Sequence, residues 1–518
     1  MKHSKTEIRI ISLLLALLLL FSGCQEIGPA VTNPTGTVPD GYCVHTDDNT
    51  DELCDNCGID VTVTLDFYGI NDLHGVFCDS RTSSGVDEWT TYLKNAKADD
   101  KAYEILISSG DMWQGSVESS SNHGALMTEW MNEVGFDAMT LGNHEYDWGS
   151  SYFPINDALA EFPFLGINIT DSNVEEDYTQ PSVVVERGGV RIGIIGAIGN
   201  CKSSISGEFQ GGLDFAVKNQ LTALVKAEAT RLRTEEYCDF IVYSLHDGSS
   251  EYSSTPISVK GDLKDSDGSV YYDVDLSDGY VDLVLEGHSH HAYILKDDHG
   301  VYHLQAGGNG SAMSYISVDY NLVTRSYEVE TVKLLSPGVY ANPSLADDPI
   351  VDELIDKYFP DGDPYLDTIG ENSQFRNADE LRNILATLYW ETGKETWGSE
   401  YDVVLGGGFM SCRGKGLYAG TVTYDQLYSL FPFDNDLVLG SISGKKLKAK
   451  FLNSSSYNYF CDYDPSLYSS IQDNQTYYIL TDTYTSTYAP NGITEIDRIK
   501  GIYARDLLRD YIAAGNMQ

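Results

Sequence analysis

Nine side chains able to bind metal or move a proton recur in short polar clusters. They are Asp72 and His74 in "NDLHG", Asp111 in "SGD", Asn143, His144 and Asp147 in "GNHEYDWG", His246 in "LHDG", and His288 and His290 in "GHSHH". Mixed carboxylate, amide and imidazole donors suit divalent cations of intermediate hardness, and a carboxylate among them can bridge two such ions. Each residue alone has an ordinary explanation, because Asn, Asp and Gly also build turns and a strand-end His is often a hydrogen-bonded core residue. As an ordered set, D-x-H, GD, GNHExD, H and GHxH, they argue for a dinuclear metal centre. His123 and His291 stand beside the pattern as bystanders.

Every cluster follows an apolar run: "VTVTLDFYGI", "EILIS", "AMTL", "DFIVYSL" and "VDLVLE", with "VYHLQA" a further run ahead of a Gly pair. Such Val- and Ile-rich runs predict buried strands. Helical periodicity lies between several of them, as in "GALMTEWMNEVG" at 124–135. Alternating strands and helices predict an α/β fold, in which ligands sit beyond the carboxyl ends of the strands. A turn-rich stretch at 336–348 marks a joint. There Asp348 before Pro349 predicts the start of a connecting helix, and Asn377 with Glu380 predicts a capping box opening another.

The 518 residues carry 78 acidic against 33 basic side chains, a formal charge of -45. A nucleic-acid polymer needs Lys and Arg to replace its counterions, so such a partner is excluded, and an anionic substrate needs a local positive site. Lys2, Lys5 and Arg9 precede the apolar run "IISLLLALLLLF", and "FSGC" ends in Cys24. That order predicts a lipoprotein signal over 1–23 and a lipid on Cys24, hence an exported chain on the cell surface, anchored to the outer face of a bacterial cytoplasmic membrane. Of nine cysteines, Cys43, Cys54 and Cys57 join His45 in "CVHTDDNTDELCDNCG". This Cys/His/Asp-rich knuckle within 24–60 offers four ligands for a structural Zn²⁺, which is favoured over a disulfide. Asp47, Asn49 and Asp51 alternate as calcium ligands do, without the Gly and distal Glu of a full calcium loop.

The motifs "NDLHG", "SGDMWQGS", "GNHEYDWG", "LHDG" and "EGHSHH" resemble those of the calcineurin-like metallophosphoesterases, and most of residues 61–460 is similar to the bacterial 5'-nucleotidase and UDP-sugar hydrolase family. The resemblance implies a calcineurin-like αββα sandwich over 61–335, a linker with its helix at 336–359, and a smaller α/β 5'-nucleotidase domain over 360–518 that holds the substrate. It implies two divalent cations, drawn from Mn, Zn, Fe, Mg or Co, held by Asp72, His74, Asp111, Asn143, His246, His288 and His290. Many relatives carry Gln where this chain has His290. His144 and Asp147 would form the catalytic dyad, and hydrolysis would proceed through a metal-activated water.

In the second domain the resemblance makes Phe433 a base-stacking ring and Asn435 its neighbour, with Tyr484 or Tyr488 a further stacking partner. The usual Asn-Gly-Gly-Gly-Ile-Arg reads "LGGGFMSCRG" here, so Gly407 and Gly408 persist while Met410 fills the Arg position. Arg413 and Arg376 are the candidates to grip phosphate in its place. The implied activity is phosphate release from nucleotides. A 2',3'-cyclic-nucleotide or UDP-sugar substrate is the alternative on the same site, and a non-catalytic surface binding protein stabilised by metal is the alternative of another kind.

Overall fold

The computed structural model describes residues 43–78, 85–98, 101–175, 177–340, 344–360, 366–452 and 459–518. The leader and Cys24 lie outside these residues. Among the described residues no helix is long and apolar enough to cross a membrane.

Residues 61–335 build two facing sheets. The first runs, edge to edge, through Ser326–Leu335, Met313–Asn321, Thr62–Ile70, Tyr103–Ser108, Ala138–Thr140 and Phe164–Leu165. The second runs through Ile257–Ser258, Ala292–Lys296, Tyr302–Ala306, Leu283–Glu286, Phe240–His246, Val190–Ile198 and Ser182–Arg187. Val63, Leu65, Phe67, Ile105 and Ile107 of the first meet Ile192, Ile194, Phe240, Val242 and Leu283 of the second in a buried middle layer. Helices Asp87–Lys97 and Ala125–Val134 cover the outer face of the first sheet, through Trp89, Leu93, Trp130 and Met131. Asn219–Thr234 covers the second, through Leu221, Val225 and Leu232. The result is the expected αββα sandwich, with inner strands such as Phe240–His246 and Leu283–Glu286 buried throughout because each sheet is covered twice, while the edge strand Ser326–Leu335 stays partly exposed.

Thr62–Ile70, Tyr103–Ser108 and Ala138–Thr140 pair in parallel, as do Phe240–His246 and Leu283–Glu286. Their carboxyl ends therefore open on one edge of the sandwich, and the polar clusters emerge together there. The connecting helix forms at Pro349–Tyr358, with the Asp348 side chain accepting from the Ile350 amide. Instead of standing free between the lobes, it packs Val351 and Leu354 into the core of the first.

Beyond it, Asn377 and Glu380 close the capping box of the helix Ala378–Trp397. A five-stranded sheet, ordered Phe460–Tyr463, Val403–Gly408, Thr476–Asp482, Leu437–Ser443 and Thr494–Ile499, carries this helix and Ala504–Ala513 on one face. The two lobes have separate apolar cores.

A buried polar network underlies the loop that carries His288 and His290. His303, fully buried, sets Nδ1 2.8 Å from Glu286 and Nε2 3.5 Å from Asp297. Tyr271 and Tyr293 donate to Glu286, and Ser277 donates to Asp297. Burial opposes protonation of His303, but its bonds to Asp297 and Glu286 prevail and hold it above the ordinary imidazole value. The stability this charge contributes is present below the ordinary imidazole pKa and is lost as pH rises through the raised folded value. Removing the cation strands two buried carboxylates, so His303→Gln is expected to cost about 3–5 kcal/mol near about pH 6 and less at alkaline pH. Urea unfolding of both proteins across that range checks it, and an equal deficit at all pH values would contradict a charged His303.

Candidate active site

At the shared strand edge, Asp72, His74, Asp111, Asn143 and His246 are all at most 1% exposed. His74 Nδ1 lies 2.8 Å from the Gln114 carbonyl and His246 Nδ1 2.7 Å from the Ser109 carbonyl. A carbonyl only accepts, so each Nδ1 carries the proton and each Nε2 presents a lone pair to the cleft. These lone pairs then meet other acceptors. His74 Nε2 is 2.9 Å from His290 Nε2, which is 3.2 Å from Asp72 Oδ1. His246 Nε2 is 3.2 Å from Asp111 Oδ2 and 3.3 Å from Asn143 Oδ1.

Asp111 Oδ2 is buried without a hydrogen-bond donor. Acceptors facing acceptors out of water repel unless a cation lies among them, so this donor set fits divalent metal. One ligand atom from each of Asp72, His74, Asp111 and His290 falls within 4.8 Å of the others. His246 also stands beside His288, with ring centroids 5.3 Å apart, and one ligand atom from each of these two and from Cys201 falls within 4.8 Å of the others. Burial holds His288 down to about 4, so it stays neutral and free to ligate.

His144 and Asp147 sit three residues apart on the 3₁₀ turn His144–Tyr146, where such positions eclipse. The bond from His144 Nδ1 to Asp147 Oδ2 is 2.7 Å. Burial alone would lower the imidazole, but the charges of Asp147 and Asp111 raise it above its ordinary value. His144 Nε2 accepts from Arg413 Nη2 of the second lobe at 2.9 Å.

A cavity of about 490 Å³ joins the two lobes here. Asp111, His144, Asp147, His288 and His290 line one side, while Phe409, Arg413, Phe433, Asn435 and Tyr484 line the other. Of the two candidate arginines, Arg413 enters the cleft and Arg376 does not, since Arg376 pairs with Leu417 in a short ribbon and donates to Asn372. Met410 joins the core of the second lobe, and Arg413 reaches the cleft from three residues further on. The Arg413 Nε is buried without an acceptor, a cation set to receive an anion. Its guanidinium lies 5.4 Å over the Phe433 ring.

Gly407 and Gly408 remain inside the sheet, paired with Cys461 and Phe460. Tyr484 faces Phe409 with ring centroids 5.8 Å apart, whereas Tyr488 is exposed outside the cleft.

Residues 65–292 match the family model for calcineurin-like phosphoesterases, and residues 381–496 match that for the 5'-nucleotidase C-terminal domain. The chain belongs to the two-domain 5'-nucleotidase family. As a member it is a metal-dependent phosphoric ester hydrolase. It is 25% identical over 432 residues to a 5'-nucleotidase of Vibrio vulnificus, covering 75% of each chain. It is 24% identical over 384 residues to the protein UshA of Yersinia enterocolitica, covering 66% of this chain and 67% of that one. Its fold is similar to that of a 5'-nucleotidase precursor from Thermus thermophilus, with a TM-score of 0.64 at 18% identity over 88% of this chain and 96% of the other.

This member of the family depends on residues that spacing alone did not single out. Glu145, 2% exposed, accepts four backbone N–H groups: Asp111 and Gly142 on Oε2, Met112 and Trp113 on Oε1. One carboxylate thus ties the loop bearing Asp111 to the loop bearing Asn143 and His144. Gly110 and Gly142 let those loops touch, since a Cβ on Gly142 would stand 2.3 Å from Asp111 Oδ1 and one on Gly110 2.6 Å from the Gly142 amide. Asn71 links the sheets, donating to Asp72 and the Gly307 carbonyl and accepting from Ala306. The acid between His144 and Tyr146 in "GNHEYD" was the available clue to Glu145, although an exposed turn residue reads the same way.

Glu145→Gln would set an amide NH₂ against two N–H donors and is expected to lower divalent-cation affinity roughly 10–100-fold, the usual penalty for losing an outer partner of a metal ligand. Chelator competition measures it. Unchanged affinity would show that the loops hold their geometry without the carboxylate.

Proposed function

We propose that this chain is an extracytoplasmic 5'-nucleotidase that hydrolyses nucleotides to nucleoside and phosphate with two divalent cations. The observation that carries the reading is the convergence, in one cleft, of the lone-pair cluster, the His144–Asp147 pair, the unsatisfied Arg413 donor and an apolar aromatic wall. A phosphate ester with a flat apolar appendage matches that sequence of surfaces.

Asp72, His74, Asp111 and His290 would hold one cation, and Asn143, His246 and His288 with the shared Asp111 the other. When bound, such cations neutralise charge on the phosphoryl oxygens and make water acidic enough to attack phosphorus at neutral pH.

The remaining chemistry belongs to the chain. His144 presents Nε2 to the phosphoryl group and offsets the negative charge that grows there, while Asp147 fixes its ring and keeps it basic. The Arg413 fork turns from His144 to the phosphate oxygens when substrate is bound, a bidentate role that a lysine does not reproduce. Phe409, Phe433 and Tyr484 offer rings for the base, a contact worth roughly 1–3 kcal/mol per stacked base elsewhere. The leader and the charge balance agree with this setting: a chain of -45 draws an anion only through its local cations. Lobe limits of 61–335 and 360–518, joined by 336–359 and preceded by a lipid-anchored segment from Cys24 at the outer membrane face, complete the proposal.

Phosphate release from AMP by the metal-stripped chain, with and without added Mn²⁺, is the direct test, with UDP-glucose and a cyclic nucleotide in parallel. Metal-dependent release from AMP is expected, and turnover of another ester alone would move the substrate. His144→Ala is expected to lower kcat by roughly 10²–10³-fold with metal content intact, as for other groups that stabilise a transition state. Arg413→Ala should reduce kcat/KM by roughly 10²-fold, and Arg376→Ala should leave it within about twofold. Equal losses at the two arginines would contradict the assignment to Arg413.

A further inference from the structure

Residues 43–60 take no part in the cleft, and Cys54 alone among them is buried. The segment has no apolar core of its own, yet it follows a defined course. Cys54 donates its amide to Ile59, Gly58 to Cys54 and Asp55 to Thr46, at 2.7, 2.7 and 2.8 Å. Gly58 takes a φ of 78°, turning the chain back just after the Cys-x-x-Cys pair. Segments this small require a cross-link or a metal to stay folded.

The side chains enclosed by this turn are Cys43, His45, Cys54 and Cys57, whose ligand atoms all lie within 4.8 Å of one another. Cys43 Sγ is 3.8 Å from Cys54 Sγ, and Cys57 Sγ is 3.6 Å from His45 Nδ1. A disulfide needs about 2.05 Å between sulfurs, and all three cysteines are free. The spacing is that of a tetrahedron's edges. With Zn–S about 2.3 Å and Zn–N about 2.05 Å, tetrahedral angles place two sulfurs about 3.8 Å apart and a sulfur and a nitrogen about 3.6 Å apart.

The oxygens nearby are already engaged. Asp47 accepts from the Asp51 and Glu52 amides, Asn49 from Asp51, and Asp51 from Leu53. They shape the loop between the ligand pairs, which leaves the soft donors as the metal set.

We propose that Cys43, His45, Cys54 and Cys57 bind one structural Zn²⁺ that staples the N-terminal segment to the hydrolase domain. Three thiols release their protons to solvent on binding and the imidazole binds neutral. The staple has a defined footing. Leu53 bridges to Asp60, Glu52 accepts from the Val61 amide, and the next residue begins the central strand Thr62–Ile70. On the other side the knuckle rests on the tight turn Gly188–Gly189, where a Cβ on Gly189 would come within 2.7 Å of Ile59 and 3.6 Å of the His45 ring. The ion therefore orders the chain at its passage into the sandwich, apart from the catalytic cluster and with ligands of a different class.

That difference supplies the test. The full chain, solubilised in detergent, reduced and stripped of metal, is titrated with Co²⁺ alone. Thiolate ligation gives a sulfur-to-cobalt charge-transfer band in the near ultraviolet, which nitrogen and oxygen ligands do not. The band is expected in the wild type and in Cys201→Ser, whose thiol lies beside His246 and His288, and it is expected to vanish in Cys43→Ser and in Cys57→Ser. With Zn²⁺, each knuckle variant should bind one equivalent fewer than the wild type while retaining phosphatase turnover. A band that survives in both knuckle variants, equal zinc content, or a disulfide among these cysteines found by mass spectrometry in protein isolated without reductant would overturn the proposal.

Discussion

Asp72, His74, Asp111, His288 and His290 all hold positive φ, between 50° and 69°. For a residue with a side chain this left-handed backbone costs on the order of 1–3 kcal/mol, least for Asp, Asn and His. Five such residues at one site persist only because the surroundings leave no alternative. Pairing continues past the ends of the first two strands, with Asp72 donating to the Gly110 carbonyl, His74 to Asp111 and Gly75 to Met112. Asp72 in turn accepts the His288 amide from the second sheet. The sandwich converts the stability of its large core into the precision of a few strained loops, and ligand direction follows from that strain.

The same constraint explains why the site spans two sheets. Neither sheet alone carries enough donors: Asp72, His74, Asp111 and Asn143 come from the first, His246, His288 and His290 from the second. Both sheets bring parallel strands to one edge, so a cation held there ties them together. Acceptor groups from the two sheets face one another across 2.9–3.3 Å there.

The second lobe brings to this edge what the first lacks. In a chain with so many excess carboxylates, Arg413 is a local cation backed by Phe433 and held by its backbone N–H, which donates to the Leu430 carbonyl. Arg505, 3% exposed, fixes the opposite loop by donating to the Phe431 and Phe433 carbonyls. Gln114 donates across to the Pro432 carbonyl, so the loop that orients His74 also touches the loop that bears Phe433. Metal cluster and aromatic wall are thereby coupled through one short segment.

Strand-end clusters, the capping box at Asn377 and the helix start at Pro349 were legible in the sequence, because each is a local pattern: a period, a cap, or a donor a fixed number of residues from a strand. The pairing of His144 with Asp147 was legible only through the resemblance of "GNHEYDWG" to a family motif, and the 3₁₀ turn shows the reason, since it puts both on one side. Glu145 was not, because its four amide partners come from two loops over thirty residues apart. Nor was the choice between Arg376 and Arg413, which rests on which strand ends at the cleft and which at a distant ribbon. Sequence by itself determined the kinds of chemistry and the order of the elements carrying them, since side-chain type and local periodicity need no tertiary contact. Only the tertiary structure decided which groups share one site, because that depends on long-range packing of two sheets and a second lobe, where the nearest neighbours of a residue are far from it in the chain.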